Sequence, residues 1–191
     1  MKKTGFGKRF LCPVLLVSLL FTAGAAFAAG NGIKVSLKAT VKVEKSEDRA
    51  EEIKENADGN ESVTTTDTES EVCTVTVKIK SRSAQSATCQ LEWCFLSEIP
   101  KSAKTKSETV LFSPGKKELS LEASSSLEET ITSYPFVLTT VTKGGKSDDK
   151  ISGDTYKGYI VLVTKDGEIL AKASSSARYL KDEWIRKTQA E

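Results

Sequence analysis

Histidine is absent from all 191 residues of the chain. Without an imidazole the chain cannot build a Ser-His-Asp triad or a Cys-His pair, because histidine is the general base in both. Histidine-ligated zinc, the HExxH signature and c-type haem attachment are excluded for the same reason. Ser-Lys chemistry, paired carboxylates and oxygen-ligated calcium remain possible.

Acidic residues are also absent from the start of the chain, where the first is Glu44. The amino terminus combines a basic head, an apolar run over residues 10–20 and small residues that end in Ala26-Phe27-Ala28. These features predict a secretory signal peptide over residues 1–28, cleaved before Ala29. We therefore expect a secreted or periplasmic protein that contacts the membrane only transiently, through its signal peptide.

A retained membrane anchor is the alternative for the same segment. Pro13 and Gly24 interrupt its apolar stretch, which is short for a bilayer span. Cys12 lies too early in the run, without the small residues that a lipoprotein cleavage site needs. The pattern favours cleavage over anchoring.

The mature chain, residues 29–191, has the length of a single domain. It carries 24 basic and 26 acidic residues, a balance that argues against nucleic acid as a partner. Eleven acidic and three basic residues fall between Glu44 and Glu71. A Lys-rich patch lies at Lys101, Lys104, Lys106, Lys116 and Lys117. We interpret both as solvated surface; contact between them would be weak once screened by salt.

Period-two alternation of apolar and polar residues predicts most of the mature chain to be strand. Asp166-Gly167 predicts a tight hairpin, Ser113 to Lys116 a turn, and residues 143–154 a loop. The predicted strands cover residues 33–45, 72–80, 88–96, 109–112, 118–123, 130–142, 156–164 and 168–174. Seven to eight short strands indicate an all-β sandwich of immunoglobulin-like or fibronectin-III-like topology, with a jelly roll as the second choice.

Two segments break this alternation. Residues 46–70 are predicted to be an acidic mobile loop, with Ala50, Ile53 and Ala57 at the spacing of a short helix and disorder as the alternative. Residues 175–188 are predicted to form a C-terminal helix, capped by Ser175 or Ser176 and anchored by Leu180 and Trp184.

Two stretches resemble known sandwich proteins. Residues 91–96, Leu-Glu-Trp-Cys-Phe-Leu, resemble the aromatic third strand of immunoglobulin-like sandwiches. Residues 156–161 with Asp166-Gly167 and Ala173-Ser174 resemble the last hairpin of small exported bacterial proteins of unassigned function. An immunoglobulin domain proper would place a later Cys two residues after a Tyr, and no Cys follows Cys94. The resemblance implies the fold and no active site.

Three motifs suggest a ligand, and each has a simpler interpretation. Gly145-Lys146-Ser147 lacks the earlier glycine and the following helix of a phosphate-binding loop. Asp148, Asp149 and Asp154 match no calcium loop and are interpreted as a solvated turn. Four aromatic residues could make a platform that stacks against a sugar: Trp93, Tyr156, Tyr159 and Trp184. Trp93 shares its parity with apolar neighbours, and aromatics of that kind usually fill a core. We predict no catalytic, cofactor-binding or metal-binding residues.

The three cysteines of the mature chain are predicted to remain free thiols. Cys89 and Cys94 lie on one strand and point to opposite faces, and Cys73 and Cys89 fall at opposite ends of the core. Cys73 and Cys89 are then core residues, and Cys94, at the outward parity, is the most reactive thiol. A bulge that brings Cys73 to Cys94 remains the alternative.

These observations predict a non-catalytic exported domain for protein interaction or envelope structure, with an unknown protein or glycan at the cell envelope as partner. A carbohydrate-binding module is the alternative. An enzyme would need two facing carboxylates in a cleft, and Glu92 and the loop acids show no such pairing.

Overall fold

The computed structural model describes residues 33–55, 61–100, 107–143 and 146–190. In chain order the strands are β1 Val35–Glu55, β2 Glu61–Ser81, β3 Ala87–Ile99, β4 Glu108–Leu121, β5 Ser126–Thr132, β6 Phe136–Lys143, β7 Lys146–Gly153, β8 Thr155–Lys165 and β9 Glu168–Ser174. A 3-10 helix, Ala177–Leu180, and an α-helix, α1 Asp182–Gln189, follow. The predicted signal peptide, residues 1–28, lies outside the described residues, none of whose helices has the length and hydropathy to cross a membrane.

The strands form two antiparallel sheets, as an all-β sandwich requires. The first sheet has the order β1-β2-β6-β7, with β5 also paired to β2, and the second has the order β4-β3-β8-β9. The predicted fold class is confirmed, although the structure has nine strands where seven to eight were expected. The additional strand is β7, which occupies the predicted loop at residues 143–154 and is held by pairing with β6.

The main core lies between the sheets and follows the predicted alternation. Along β2, Cys73, Val75, Val77 and Ile79 all have no exposed surface. The second sheet contributes its own alternate apolar residues, Cys89, Leu91, Phe95, Tyr159, Val161 and Val163. Because period-two patterning puts one parity of each strand in the core, these positions could be predicted without any tertiary information.

The predicted turn at Ser113 to Lys116 is instead a bulge within β4. Trp93 pairs with Gly115 and Phe95 with Phe112, so Ser113 and Pro114 both lie opposite Cys94. Ser113 has a φ of 48°. A proline lacks the donor for a ladder hydrogen bond, and a bulge accommodates it without ending the strand. The hairpin at Asp166-Gly167, by contrast, is confirmed, with φ of 52° and 81° at the two residues.

The C-terminal helix covers the outer face of the second sheet and creates a second core. Tyr179 and Ile185 pack there on residues of the opposite parity to the main core, namely Cys94, Leu96, Ile160 and Leu162. The predicted helix at residues 175–188 is confirmed in type but begins later, because Ser176 is extended and makes no side-chain cap. The α-helical turns start at Asp182, so Leu180, one of the two predicted anchors, lies in the preceding 3-10 helix. The other predicted anchor, half-buried Trp184, packs against this second core.

The prediction for residues 46–70 is wrong in secondary structure. Both β1 and β2 continue through this segment as one long hairpin, with Ser46 opposite Ser70 and Glu55 opposite Glu61. Ala50 and Ile53 are therefore extended, and Ala57 lies outside the described residues. Pairing with the Thr-rich, β-prone segment of β2 overrides the weak helical tendency of β1. The mobility of the segment stays a prediction.

Candidate functional site

The long hairpin carries the first sheet beyond the sandwich. We call the part formed by residues 46–55, 61–70, 137–143 and 146–153 the projecting sheet. Phe136, with no exposed surface, closes the top of the main core against Phe112 and Tyr156. Above it, no described side chain of the projecting sheet is buried. This part of the molecule thus presents both faces of a sheet to solvent.

The strand order leaves β2 and β6 in the interior of the projecting sheet and β1 and β7 at its edges. The β2–β6 ladder runs from Thr64 opposite Lys143 to Ser70 opposite Val137. On the far side, Leu138 of β6 pairs with Gly153 of β7. Edge strands expose backbone donors and acceptors on one side, and no other described strand pairs with the outer sides of β1 and β7.

The outer face of the projecting sheet, which points away from the second sheet, is a ladder of hydroxyl groups. Successive side chains alternate between faces, so every second residue of β2 lies on this side. They are Ser62, Thr64, Thr66, Thr68 and Ser70. Thr139 of β6 lies opposite Thr68 and widens the ladder. The face is polar but carries little charge along β2.

The inner face, of the parity that enters the core lower down, combines charge with exposed aliphatic side chains. The guanidinium group of Arg49 lies 3.7 Å (Nε) from a carboxylate oxygen of Asp67 across the hairpin and 3.4 Å (Nη2) from a carboxylate oxygen of Glu51 on its own strand. Ile53 pairs with Val63 farther out. At the other edge, Ile151 of β7 is 52% exposed. This face can therefore offer both apolar area and ionic contacts to a partner.

A set of polar contacts joins the base of the projecting sheet to the second sheet. The carboxylate of Glu71 accepts a hydrogen bond from the backbone N–H of Tyr156 at 3.0 Å and pairs with Lys45. That hydrogen bond from Lys45 to Glu71 raises the pKa of the lysine above its usual value. Asp154 accepts from the N–H of Val137 at 3.2 Å and returns a backbone N–H to its carbonyl at 2.9 Å. Glu71 thus links the hairpin to the second sheet, and Asp154 holds β6 at the point where the chain passes from β7 to β8.

The four aromatic residues considered as a sugar platform are not brought together. Trp93, Tyr156 and Tyr159 belong to the main core, and burial raises the pKa of Tyr159 to about 12. Trp184 lies on the other side of the second sheet, where its ring centroid is 5.7 Å from that of Tyr179. The interpretation of such aromatics as core residues is correct for this chain.

The three cysteines of the described residues, Cys73, Cys89 and Cys94, are all buried and form no disulfide with one another. This agrees with the main prediction over a Cys73–Cys94 bridge, because Cys73 lies in the core between the sheets whereas Cys94 faces the other side of the second sheet. Cys94 was predicted to be exposed and reactive, and this is wrong. It points to the outer face of the second sheet, as its parity requires, but α1 and the 3-10 helix cover that face.

The remaining candidate ligands do not converge. Within the described residues no three potential metal-ligating side chains group together. The side chains of Asp148 and Asp149 and the residue Gly145 lie outside them, and Asp154 is engaged by the backbone of Val137. Glu92 accepts a hydrogen bond from Thr164 at 2.6 Å on the outer face of the second sheet.

Sequence reasoning missed the projecting sheet, although one signal was present. Residues 62–68, Ser-Val-Thr-Thr-Thr-Asp-Thr, are rich in β-branched residues that favour extended backbone. The acidic composition of the neighbouring segment outweighed that signal. The β propensity of residues 62–68 indicates that β2 begins well before Val72, where the predicted strand begins.

No family model and no curated protein matches the chain. Among solved structures, a crystal structure from Akkermansia muciniphila aligns with 78% of this chain and 76% of its own length. The two are 10% identical and the TM-score is 0.27. A similarity this low carries no function from one chain to the other.

Proposed function

We propose that this protein is a non-catalytic, exported β-sandwich domain that binds a protein partner at the cell envelope through its projecting sheet. The observation that carries the proposal is the distribution of exposed apolar residues. Of the six large apolar side chains exposed in the described residues, four lie on the projecting sheet: Ile53, Val63, Val137 and Ile151. Ile53, Val63 and Ile151 share its inner face, whereas Val137 lies on the outer face beside Ser70. Exposed apolar side chains gathered on one face mark interaction surfaces.

The shape of the projecting sheet favours a macromolecular partner over a small ligand. Small molecules bind in concave sites that bury most of their surface. A sheet with two exposed faces and two open edges offers instead a broad surface and a place for an added strand. The hydroxyl ladder and the Arg49–Asp67 ion pair supply the polar contacts that a protein interface also needs.

The strand order supports an immunoglobulin-like or fibronectin-III-like relationship. In immunoglobulin folds, strands A, B and E share one sheet while C, F and G share the other. Here β1, β2 and β5 lie together in the first sheet, and β3, β8 and β9 lie together in the second. Domains of this architecture serve many unrelated functions, so the proposed role rests on the surface and not on the fold.

The carbohydrate-binding alternative has less support, because it required exposed coplanar aromatic rings on one sheet face. Three of its four candidate aromatics belong to the main core, and Trp184 lies on the opposite side of the second sheet. Tyr134, just before β6, is the one aromatic side chain among the exposed large apolar residues of the described chain. A single ring gives no stacking platform.

A quantitative capture experiment tests the proposal. The mature chain, residues 29–191, is immobilised and exposed to the envelope fraction of its host, beside an Ile53→Lys/Val63→Lys variant. We expect specific envelope proteins on the wild-type chain to fall at least tenfold on this variant. The matched control is Ile99→Lys, which also adds a lysine at an exposed apolar position but lies on the second sheet.

The control must capture the same proteins as the wild-type chain. Equal capture by all three proteins would show that the projecting sheet is not the binding surface. Capture lost equally in the Ile99→Lys variant would show a general effect of added charge. Circular dichroism of each variant verifies that the sandwich remains folded.

A further inference from the structure

The free edge of β1 has a defined pattern of unpaired backbone groups. The N–H of Arg82 donates to the carbonyl of Lys34 at 2.8 Å, so the even-numbered residues of β1 point their backbone groups towards β2. The odd-numbered residues then point theirs outwards, away from the sheet. In the projecting sheet these are Lys45, Glu47, Arg49, Glu51 and Ile53, and no described strand pairs with this side of β1.

We propose that this edge pairs with the same edge of a second copy of the chain, antiparallel, about a two-fold axis at Ala50. The two projecting sheets then join into one continuous sheet, with the two sandwiches at opposite ends. The pairing leaves both faces of the projecting sheet open, so it goes beyond the proposed function, and each can fail without the other.

The sequence of β1 is self-complementary in this register. Arg49 lies opposite Glu51 of the second copy, and Lys45 lies opposite its Glu55. Both pairs occur twice because of the two-fold symmetry. Opposite charges across a ladder favour pairing, and like charges disfavour it. Asp48 opposite Glu52 is the one like-charge pair, and Ala50 at the axis lets the backbones approach closely.

Alternative registers match less well. The outward backbone groups must meet outward groups, so odd-numbered residues can only face odd-numbered ones. Centring the pair on Asp48 keeps two opposite-charge pairs, Arg49 with Glu47 and Lys45 with Glu51. It also creates three like-charge pairs: Asp48 with itself, Lys42 with Lys54 and Glu44 with Glu52. Centring it on Glu52 sets Glu52 against itself and keeps a single kind of opposite-charge pair, Arg49 with Glu55. Charges on an edge strand usually prevent pairing; here their order selects one register.

Engineered cysteines test the register directly. In Ala50→Cys the two new thiols face each other across a non-hydrogen-bonded pair, with Cα atoms about 4.5 Å apart, within disulfide range. In the matched control, Glu52→Cys, they are offset by about four residues, roughly 13 Å. The native thiols of the mature chain are buried. On mild oxidation we expect Ala50→Cys to form mostly disulfide-linked dimer and Glu52→Cys to remain monomeric on a non-reducing gel.

A charge swap tests the same pairing without a covalent bond. Sedimentation equilibrium of the mature chain should show a dimer, weakened at least tenfold by Arg49→Glu and largely restored by Arg49→Glu/Glu51→Arg. A monomer at about 100 μM, a dimer indifferent to Arg49→Glu, or equal crosslinking of the two cysteine variants would overturn the proposal. The capture experiment above measures the binding of an envelope protein and not self-association, so none of these results decides its outcome.

Discussion

At the scale of single residues, burial decides the chemistry of the thiols. Cys94 lies beneath the C-terminal helix, and its thiol donates to the carbonyl of Phe95 at 2.8 Å. Cys73 lies in the main core, where loss of hydration raises the pKa of its thiol to about 12. Burial likewise raises the pKa of Cys89. A thiol reacts as the thiolate, so neither Cys73 nor Cys89 is activated by its surroundings, and Cys94 is protected by its burial.

We therefore expect the native mature chain to be inert to an aromatic disulfide reagent at pH 8. Unfolding in guanidinium without reductant should release three reactive thiols. Rapid labelling of one thiol in the native state, located by mass spectrometry to Cys94, would mean that the helix does not cover it. One free thiol in the unfolded monomer would mean that a disulfide forms.

The second prediction at this scale concerns Gly115. A Cβ atom at this position would lie 2.3 Å from the ring of Trp93, which is half-buried against the main core. Gly115→Ala should therefore lower the free energy of unfolding by about 1–3 kcal/mol, the usual cost of overpacking. Chemical denaturation measures it, with Lys116→Ala as the neighbouring control. An unchanged denaturation midpoint for Gly115→Ala would show that the indole moves aside.

At the scale of elements, the stability of the β1–β2 hairpin is unevenly distributed. Its lower half is anchored by residues with no exposed surface, such as Val75 and Val77. Its upper half has no buried described side chain and places Glu47 directly opposite Glu69. Segments with few buried contacts open locally at a free energy far below that of global unfolding.

Amide hydrogen exchange should separate the two halves of this hairpin. At concentrations where the mature chain is monomeric, we expect residues 46–54 to exchange at least a hundredfold faster than residues 73–79, and limited proteolysis to cut first within residues 46–70. Protection that is uniform along the hairpin would contradict this expectation. So would a first cut in the β8–β9 hairpin.

The C-terminal helix is the other element whose contribution can be measured. Ile185 is buried in the second core, whereas Glu183 on the same helix is exposed. Ile185→Ala should reduce the free energy of unfolding by about 2–5 kcal/mol through loss of apolar burial and the cavity left behind. Thermal unfolding of Ile185→Ala and Glu183→Ala compares the two. A similar small effect in both would mean that the helix packs loosely on the sheet.

Elements with a period-two pattern and a core partner could be predicted from the sequence. The strands around Val75, Leu91 and Val161, and the turn at Asp166-Gly167, were all placed correctly. The upper part of β1 could not be placed, because its Ala, Glu and Lys residues favour helix and only pairing with β2 holds it extended. The burial of Cys94 depends on how the C-terminal helix packs on the sheet, which the alternation of a single strand does not reveal. The unbroken apolar run from Tyr159 to Val163 does indicate a strand buried on both faces.

At the scale of the whole molecule, the sandwich serves as a rigid base for an exposed sheet. The two cores hold the second sheet between the first sheet and the C-terminal helix. From this base the projecting sheet extends with both faces accessible, held at its root by Glu71 and Asp154. The account's central claim is that this extension, and not the sandwich, meets the partner.

Site-specific photo-crosslinking tests that claim most directly. A photoreactive amino acid is placed at Thr66, at the centre of the projecting sheet, or at Glu118 on β4 of the second sheet as the matched control, and each mature chain is irradiated with the host envelope fraction. The account predicts adducts with a distinct envelope protein from Thr66 and none from Glu118. The same adducts from both positions, or adducts from Glu118 alone, would contradict it.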